Sequence, residues 1–467
     1  MPNRANAPGM DAIDFVEEKL GGLSVDAYEI YCVQSHVFSC QANGGAIEMS
    51  SESDEQGLAL RIFQKGRSAF AWTSHWENAA LEKMMRLAAE SLPFLPEGPD
   101  GNLTGILPLP QKSEKEFKTK PQSAIPAAEK IEKVLQMEKE AKDYDKRITQ
   151  VRDARYWEET KKVTIKNSRG LSRHGLATRY QLSLMVMAEG GGASKKDKQT
   201  AWEEVFSPSF EDLLPAPIGR EAAEKAVSQL GAESLRTQKS LVVLDAVVGA
   251  LFLGVLSSSF LGDQVQKNKS ALRDRMGEEI YSPKISFTDD GTLIQKQAGY
   301  ASFPFDGEGV PTSRNELVVS GRLKSFLYDT FWASVATGRE KGLAIQSTGN
   351  SIRSSLKEPP KVGSTNFFIE KGDASLEELF SEMGTGFWVR DVIGVHTADA
   401  VTGDFSVGAS GIWVENGRKA KPVRGVTLSG NFHDLFRKVL RVGHEVRFYQ
   451  GYGAPPLLVG EIDIGGT

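Results

Sequence analysis

The 467-residue chain carries 56 lysines and arginines against 61 aspartates and glutamates, a net charge of −5, with 40% hydrophobic residues. That apolar content supplies large cores for two or three folding units, while the acidic balance argues against direct nucleic-acid binding, which draws on a dense positive patch. Two cysteines, Cys32 and Cys40, are too few for a disulfide framework, and the most apolar stretch, Leu241 to Leu256, is too short to span a bilayer and contains Asp245.

Residues 10–21 place Ile13, Val16 and Leu20 on one helical face, and Gly21-Gly22 stops the helix. Extended segments run on to residue 74, with Asn43-Gly44-Gly45 and Lys65-Gly66 as hairpin turns. Residues 76–91 form a second helix. The Pro-, Gly- and Lys-rich residues 93–121 read as a loop. A helix over 123–144 is expected to be capped by Ser123 and supported by Ile131, Val134 and Leu135. Strands are predicted over 148–159, 161–170 and 177–190, then a turn at Gly190 to Gly192 and a helix over 219–230. From about residue 237 a strand, 240–244, leads into a small-residue apolar segment. Short β-like stretches separated by Gly, Asn and Asp follow. The fold class is therefore α+β: an N-terminal α+β domain over 1–236 and a C-terminal domain over 237–467 dominated by antiparallel β-structure. The opening residues lack the apolar core of a signal peptide, so a cytoplasmic protein is expected.

The residues offer little familiar catalytic patterning. The six histidines (His36, His75, His174, His396, His433 and His444) include no pair that shares a helix with a nearby glutamate, the arrangement by which a zinc peptidase polarises water. Ser257, Ser258 and Ser259 lack a Gly-x-Ser-x-Gly elbow, and helix-end capping accounts for them. Asp289-Asp290-Gly291 and Asp306-Gly307-Glu308-Gly309 read as solvated acidic turns. Gly190 to Gly192 are not followed by the Lys-Ser/Thr of a phosphate loop. Residues 384–388 and 403–417 are dense in Gly, Ser and aromatic residues. Tight turns between strands explain them, and such loops also admit close approach by an extended peptide, so a peptide groove is the main functional option.

At these segments the chain resembles a known family. FPFDGEGVPTSR (303–314), STGNSIRSS (347–355), MGTGFWV (383–389), AVTGDFSVGASGIWVENG (400–417) and VTLSGNFHDLFRKV (426–439), in this order and spacing, are similar to the TldD/PmbA family, once called modulators of DNA gyrase. Residues 44–74 look like the family's opening domain, so the resemblance covers nearly the whole chain. It implies a dimer in which a TldD-type subunit carries His-Glu-x-x-x-His on a helix, plus a later cysteine, as zinc ligands, and cleaves short or unfolded peptides. A PmbA-type (TldE) subunit lacks those ligands and helps to enclose the peptide channel. Here Leu253, Gly254 and Ser258 fall at the motif's positions, and residues 241–263 contain no His, Cys or Glu. The resemblance therefore implies the non-catalytic type: no metal and no catalytic residue in this chain, and zinc in a TldD-type partner. By the same analogy Asn350, Asp404, Ser406, Ser410 and Gly411 would line the peptide channel, and Asp306, Glu308 and Arg314 would form a polar network at the cavity wall. Partners expected are a TldD-type chain or a second copy of this chain, and a peptide, with neither nucleic acid nor membrane. Two rival readings stand beside this one: a self-sufficient hydrolase using a Ser or Asp nucleophile, and a protein-binding regulator of the kind the older family name suggests.

Overall fold

The computed structural model describes residues 8–22, 24–97, 125–190, 197–295, 298–339 and 344–467. The first half runs α1 (Pro8–Leu20), β1 (Ala27–Asn43), β2 (Ala46–Gln64), β3 (Arg67–Thr73), α2 (Asn78–Ser91), α3 (Ala127–Tyr144), β4 (Ile148–Asn167), β5 (Ser172–Glu189), β6 (Lys198–Ser207) and α4 (Pro215–Ser228). Its strands form one antiparallel sheet in the order β3-β2-β1-β4-β5-β6. The two predicted hairpin turns are present: Gly44 and Gly45 join β1 to β2, and Lys65 and Gly66 join β2 to β3, all with φ between +50° and +83°.

Two separate apolar clusters cover one face of this sheet. Ile13, Val16 and Leu20 of α1 and Leu81 and Met84 of α2 pack on Ile30, Cys32 and Leu60. Val134 and Met137 of α3 and Ala222 of α4 pack on Cys40, Tyr156 and Leu182. Strand β1 crosses both, because Cys32 and Cys40 are an even number of residues apart and so share a face. Burial pushes the Cys32 thiol up to about 12 and the Cys40 thiol to about 11, which leaves both as inert core thiols. Residues 46–56 of β2 are almost entirely exposed and, among the described residues, have a paired strand, β1, on one side only, since β3 pairs with β2 from Leu58 onward.

The sequence expectation needs correction in three places. The segments 148–159 and 161–170 are one 20-residue strand, β4. Strand β6 was not anticipated. Helix α3 begins at Ala127 behind Pro126, with no side-chain cap, and Ser123 lies outside the described residues, as do 98–121 of the expected loop and Gly191-Gly192 of the expected turn.

The second half contains β7 (Gln238–Leu244), α5 (Ala246–Leu256), α6 (Gly262–Gln266), β8 (Phe287–Asp290), β9 (Arg314–Val319), β10 (Arg322–Leu323), α7 (Thr330–Arg339), β11 (Ser351–Ile352), β12 (Lys361–Val362), β13 (Phe367–Ile369), α8 (Leu376–Met383), β14 (Gly386–Ile393), β15 (Asp404–Glu415), β16 (Arg418–Asn431), α9 (Phe432–Arg437), β17 (Val439–Val442), β18 (Arg447–Tyr449), β19 (Tyr452–Ala454) and β20 (Leu457–Gly465). Two six-stranded sheets result, β16-β15-β14-β7-β20-β17 and β10-β9-β8-β13-β19-β18. Pairing is antiparallel except at β7–β14 and β13–β19, and the chain as a whole is an α+β fold. Helix α5 packs against β14 of one sheet and β13, β18 and β19 of the other, which is why it is apolar almost all round. Asp245 starts it by accepting from the Val247 N–H at 3.4 Å. No helix among the described residues is long and apolar enough to cross a membrane.

Candidate functional site

The side chains of α5 divide cleanly. Val248, Phe252, Leu253 and Leu256 are buried in the common core, whereas Val247, Leu251, Gly254, Val255 and Ser258 are only partly covered. At Gly254 the Tyr452 ring stands 3.3 Å from the point a Cβ would occupy. The Tyr452 hydroxyl in turn lies 3.5 Å from those of Ser257 and Ser364. The Ser258 hydroxyl donates to the carbonyls of Val255 and Ala400, each at 3.2 Å. Of the positions aligned with a zinc motif, Gly254 and Ser258 share the accessible face and Leu253 points into the core. Whatever the register, that face offers aliphatic side chains, a glycine and an engaged hydroxyl, with a tyrosine ring against it, and this set does not fit zinc. Among the described residues no three His, Cys, Asp or Glu side chains are grouped so as to hold a metal ion.

Val247 and Leu251 open onto a cavity of about 350 Å³ between the two halves of the chain. Trp202 of β6 and Lys225 and Gln229 at the end of α4 form one wall; Arg390, Asp391, Ser410 and Tyr449 form the other. The wall is held by charge pairs that bridge the halves. Arg390 donates to both carboxylate oxygens of Glu224, at 3.1 and 2.5 Å, and to Ser228 at 2.9 Å. Arg447 reaches Glu221 at 2.6 Å and Glu203 at 3.2 Å, and Glu203 also pairs with Lys225. Trp202 and Tyr449 meet edge to face at 5.6 Å between centroids. Burial pushes the Asp391 carboxyl above its ordinary range, only partly offset by the Val392 N–H at 2.9 Å and by Lys225. The cavity thus combines an apolar floor, a fixed cation in each wall, Lys225 and Arg390, and a carboxyl, Asp391, with no salt-bridge partner among the described residues. That composition suits an extended polar chain with apolar side groups.

The expected channel residues scatter. Asp404, Ser406 and Ser410 alternate along one face of β15, away from the core-facing Phe405, Val407 and Ala409. Ser410 lines the cavity, whereas Ser406 and Asp404 are exposed further along, Asp404 accepting from Asn431 at 2.8 Å and Thr402 at 3.0 Å. Gly411 faces the other way, at a bulge where a Cβ would overlap the Trp388 carbonyl, and its own carbonyl accepts from Gln229 at 3.0 Å. Asn350 is fully buried, and both ends of its amide are committed: it donates to Asp289 at 2.7 Å and Gly363 at 3.1 Å, and accepts from Thr348 at 2.7 Å and Asn315 at 3.1 Å.

The acidic turns are buried rather than solvated. Asp306 accepts three backbone N–H groups, from Glu308, Val310 and Ser351, at 2.9 to 3.0 Å. Glu308 accepts from Arg61 of β2 at 3.0 Å and from Thr330, and Arg61 also donates to Glu29 at 2.8 Å. Asp306 and Glu308 thus belong to one network that ties the first sheet to the second half, with Arg353 pairing to Glu29 from the other side. Arg314 is elsewhere, pairing with Glu370 and, at 3.8 Å, Asp290. Burial pushes Asp289 up to about 6, although Asn350 and Thr365 donate to it. Sequence reasoning missed Trp202, Lys225, Arg390 and Tyr449, whose placement depends on long-range pairing. Tyr452 lies in the stretch after Val446, which holds no cysteine.

The chain matches the PmbA/TldA metallopeptidase domain 1 over residues 28–92, the central domain over 120–230 and the C-terminal domain over 237–466. It is 26% identical to the metalloprotease PmbA of Escherichia coli O157:H7, covering 98% of this chain and 96% of that one. It is 23% identical to a metalloprotease TldD homologue of Haemophilus influenzae, covering 95% and 94%. A Thermotoga maritima MSB8 protein, proposed to be a modulator of a DNA gyrase, superposes with a TM-score of 0.85 at 25% identity over 98% of this chain and all of that one. TldE from Thermococcus kodakarensis shares the fold, with a TM-score of 0.82 at 21% identity over 98% and 100%.

Proposed function

Because the chain belongs to the PmbA/TldD metallopeptidase family, we propose that it is a PmbA/TldE-type subunit, which supplies channel wall to a zinc-bearing TldD-type partner and does not itself cleave peptides. The observation that carries this reading is the accessible face of α5, where Gly254 lies under the Tyr452 ring and no side chain can ligate zinc. The cavity between Trp202, Arg390, Asp391 and Ser410 is the part of this chain that meets the peptide. Its paired cations fix the wall, Asp391 and the Ser410 hydroxyl offer hydrogen bonds to an extended backbone, and Val247 and Leu251 take apolar side chains.

Co-expression with a TldD-type chain followed by a peptide-cleavage assay tests the proposal. The expected outcome is no cleavage by this chain alone, and cleavage by the pair that chelator abolishes. Zinc analysis of the purified chain should give substoichiometric metal. Chelator-resistant cleavage by the chain alone, lost in Ser410→Ala, would favour the self-sufficient hydrolase instead.

A further inference from the structure

A second cavity, about 370 Å³, lies at the seam where the open face of the first sheet meets the loops of the second half. It is built from both sides. Lys161 and Arg179 project from β4 and β5, while Tyr300, Phe303 and Ser351 come from across the seam. Gly175 makes this approach possible, since a Cβ there would meet the Phe303 ring at 2.6 Å.

The polar groups in this cavity can be balanced one by one. Arg179 has Glu159 at 3.6 Å and stacks on Tyr300 at 5.1 Å. Arg353 is matched by Glu29, donates to the Gly307 carbonyl at 2.8 Å and lies over the Tyr31 ring. The Asp306 carboxyl is saturated by its three backbone N–H donors, and burial beside Glu308 holds it well above the usual carboxylate range. Among the described residues, two groups that are not open to solvent remain over. Lys161, half-buried, has no carboxylate within ion-pair distance among the described residues. The Ser351 hydroxyl, on a residue only 3% exposed, has no hydrogen-bond partner among the described residues. A buried hydroxyl left unmatched costs free energy unless something completes it, and a cation beside aromatic walls selects an anion with an apolar body.

We propose that this seam cavity binds a carboxylate attached to an aromatic or large apolar side chain, as at the C-terminal end of a short peptide or in a free acylated amino acid. Lys161 takes the carboxylate, the Ser351 hydroxyl donates the second hydrogen bond, and Tyr300 and Phe303 enclose the side chain. The proposal concerns this chain by itself and stands whether or not a zinc-bearing partner exists.

Calorimetric titration of the full chain tests it with four probes: N-acetyl-phenylalanine, its amide, a hexapeptide ending in Phe, and that hexapeptide as the amide. The free acids are expected to bind at least about tenfold tighter than their amides, the scale of one charge-assisted hydrogen bond. A preference confined to the hexapeptide pair identifies a peptide terminus as the ligand; one shown by both pairs identifies the carboxylate and its side chain as sufficient. Lys161→Gln should remove the acid preference and Lys161→Arg should restore it, with melting temperatures held to wild type because Lys161 is partly exposed. Equal binding of acid and amide, no binding of any probe, or an acid preference that survives in Lys161→Gln would overturn the assignment.

Discussion

His433 shows how a single side chain records its surroundings. Its Nδ1 lies 2.9 Å from the Tyr281 hydroxyl, its ring stacks on that tyrosine, and burial, reinforced by Arg437 and Arg275, lowers its pKa to about 4. A group whose folded value lies below its unfolded one, about 6.5 for histidine, contributes stability that is present above 6.5 and is lost as pH falls toward 4. Between pH 7.5 and pH 5 the wild type should therefore lose about 2 kcal/mol that His433→Gln does not, read as the difference in urea denaturation between the two proteins. Other single residues were less legible. The turns holding Asp289, Asp290, Asp306 and Glu308 have the composition of solvated loops, yet all four side chains are buried. The missing information was the identity of their partners: Arg61, Asn350 and Thr365 lie far away in the chain.

Among the elements, those with a strong local period emerged directly from the sequence: α1, α2 and the β1–β2–β3 hairpins need only nearest-neighbour patterning and turn chemistry. Strand β4 reads as two pieces because Glu159, Thr160 and Lys161 interrupt its apolar pattern. All three are half-buried in the structure, Glu159 and Lys161 because the loops of the second half cover their face of the strand, and the sequence carries no local trace of that. Strand β6 is obscured for a related reason, since its buried Glu203 pairs with Lys225 and Arg447 and its buried Glu204 accepts from Gln181, all distant in the chain. At α5 the aligned residues were legible, but which of them face the accessible side was not. That difference makes a prediction. Grafting Leu253→His, Gly254→Glu and Ser258→His should not create a zinc site. It should instead lower stability by at least about 3 kcal/mol, because an imidazole replaces a fully buried Leu253 and a side chain at Gly254 meets the Tyr452 ring. Metal analysis together with a denaturation curve checks it, and stoichiometric zinc at unchanged stability would show the helix face to be misassigned.

At the scale of the whole molecule, the α+β class and the β-rich second half were legible, whereas the joint between halves was not. That joint rests on ion pairs: the buried Arg61 between Glu29 and Glu308, Arg353 against Glu29, and, nearer the surface, Arg390 against Glu224. Removing one partner of such a set leaves a buried charge uncompensated. Arg61→Ala should therefore cost about 3–5 kcal/mol in guanidinium unfolding, and Arg61→Met combined with Glu308→Leu should recover part of that loss. A loss below 1 kcal/mol for Arg61→Ala would show that the halves are held by apolar contact alone.

The bare rim of β2 has its own consequence. Residues 46–56 present a row of backbone donors and acceptors that no strand among the described residues pairs with, the kind of template on which foreign strands assemble into fibres. Glu48, Glu52, Asp54 and Glu55 sit along that row, with His36 answering two of them from β1. Mutual repulsion among these carboxylates acts as a fence, so the resistance of this edge to strand addition rests on a stretch of chain that lends only Ile47 to the interior.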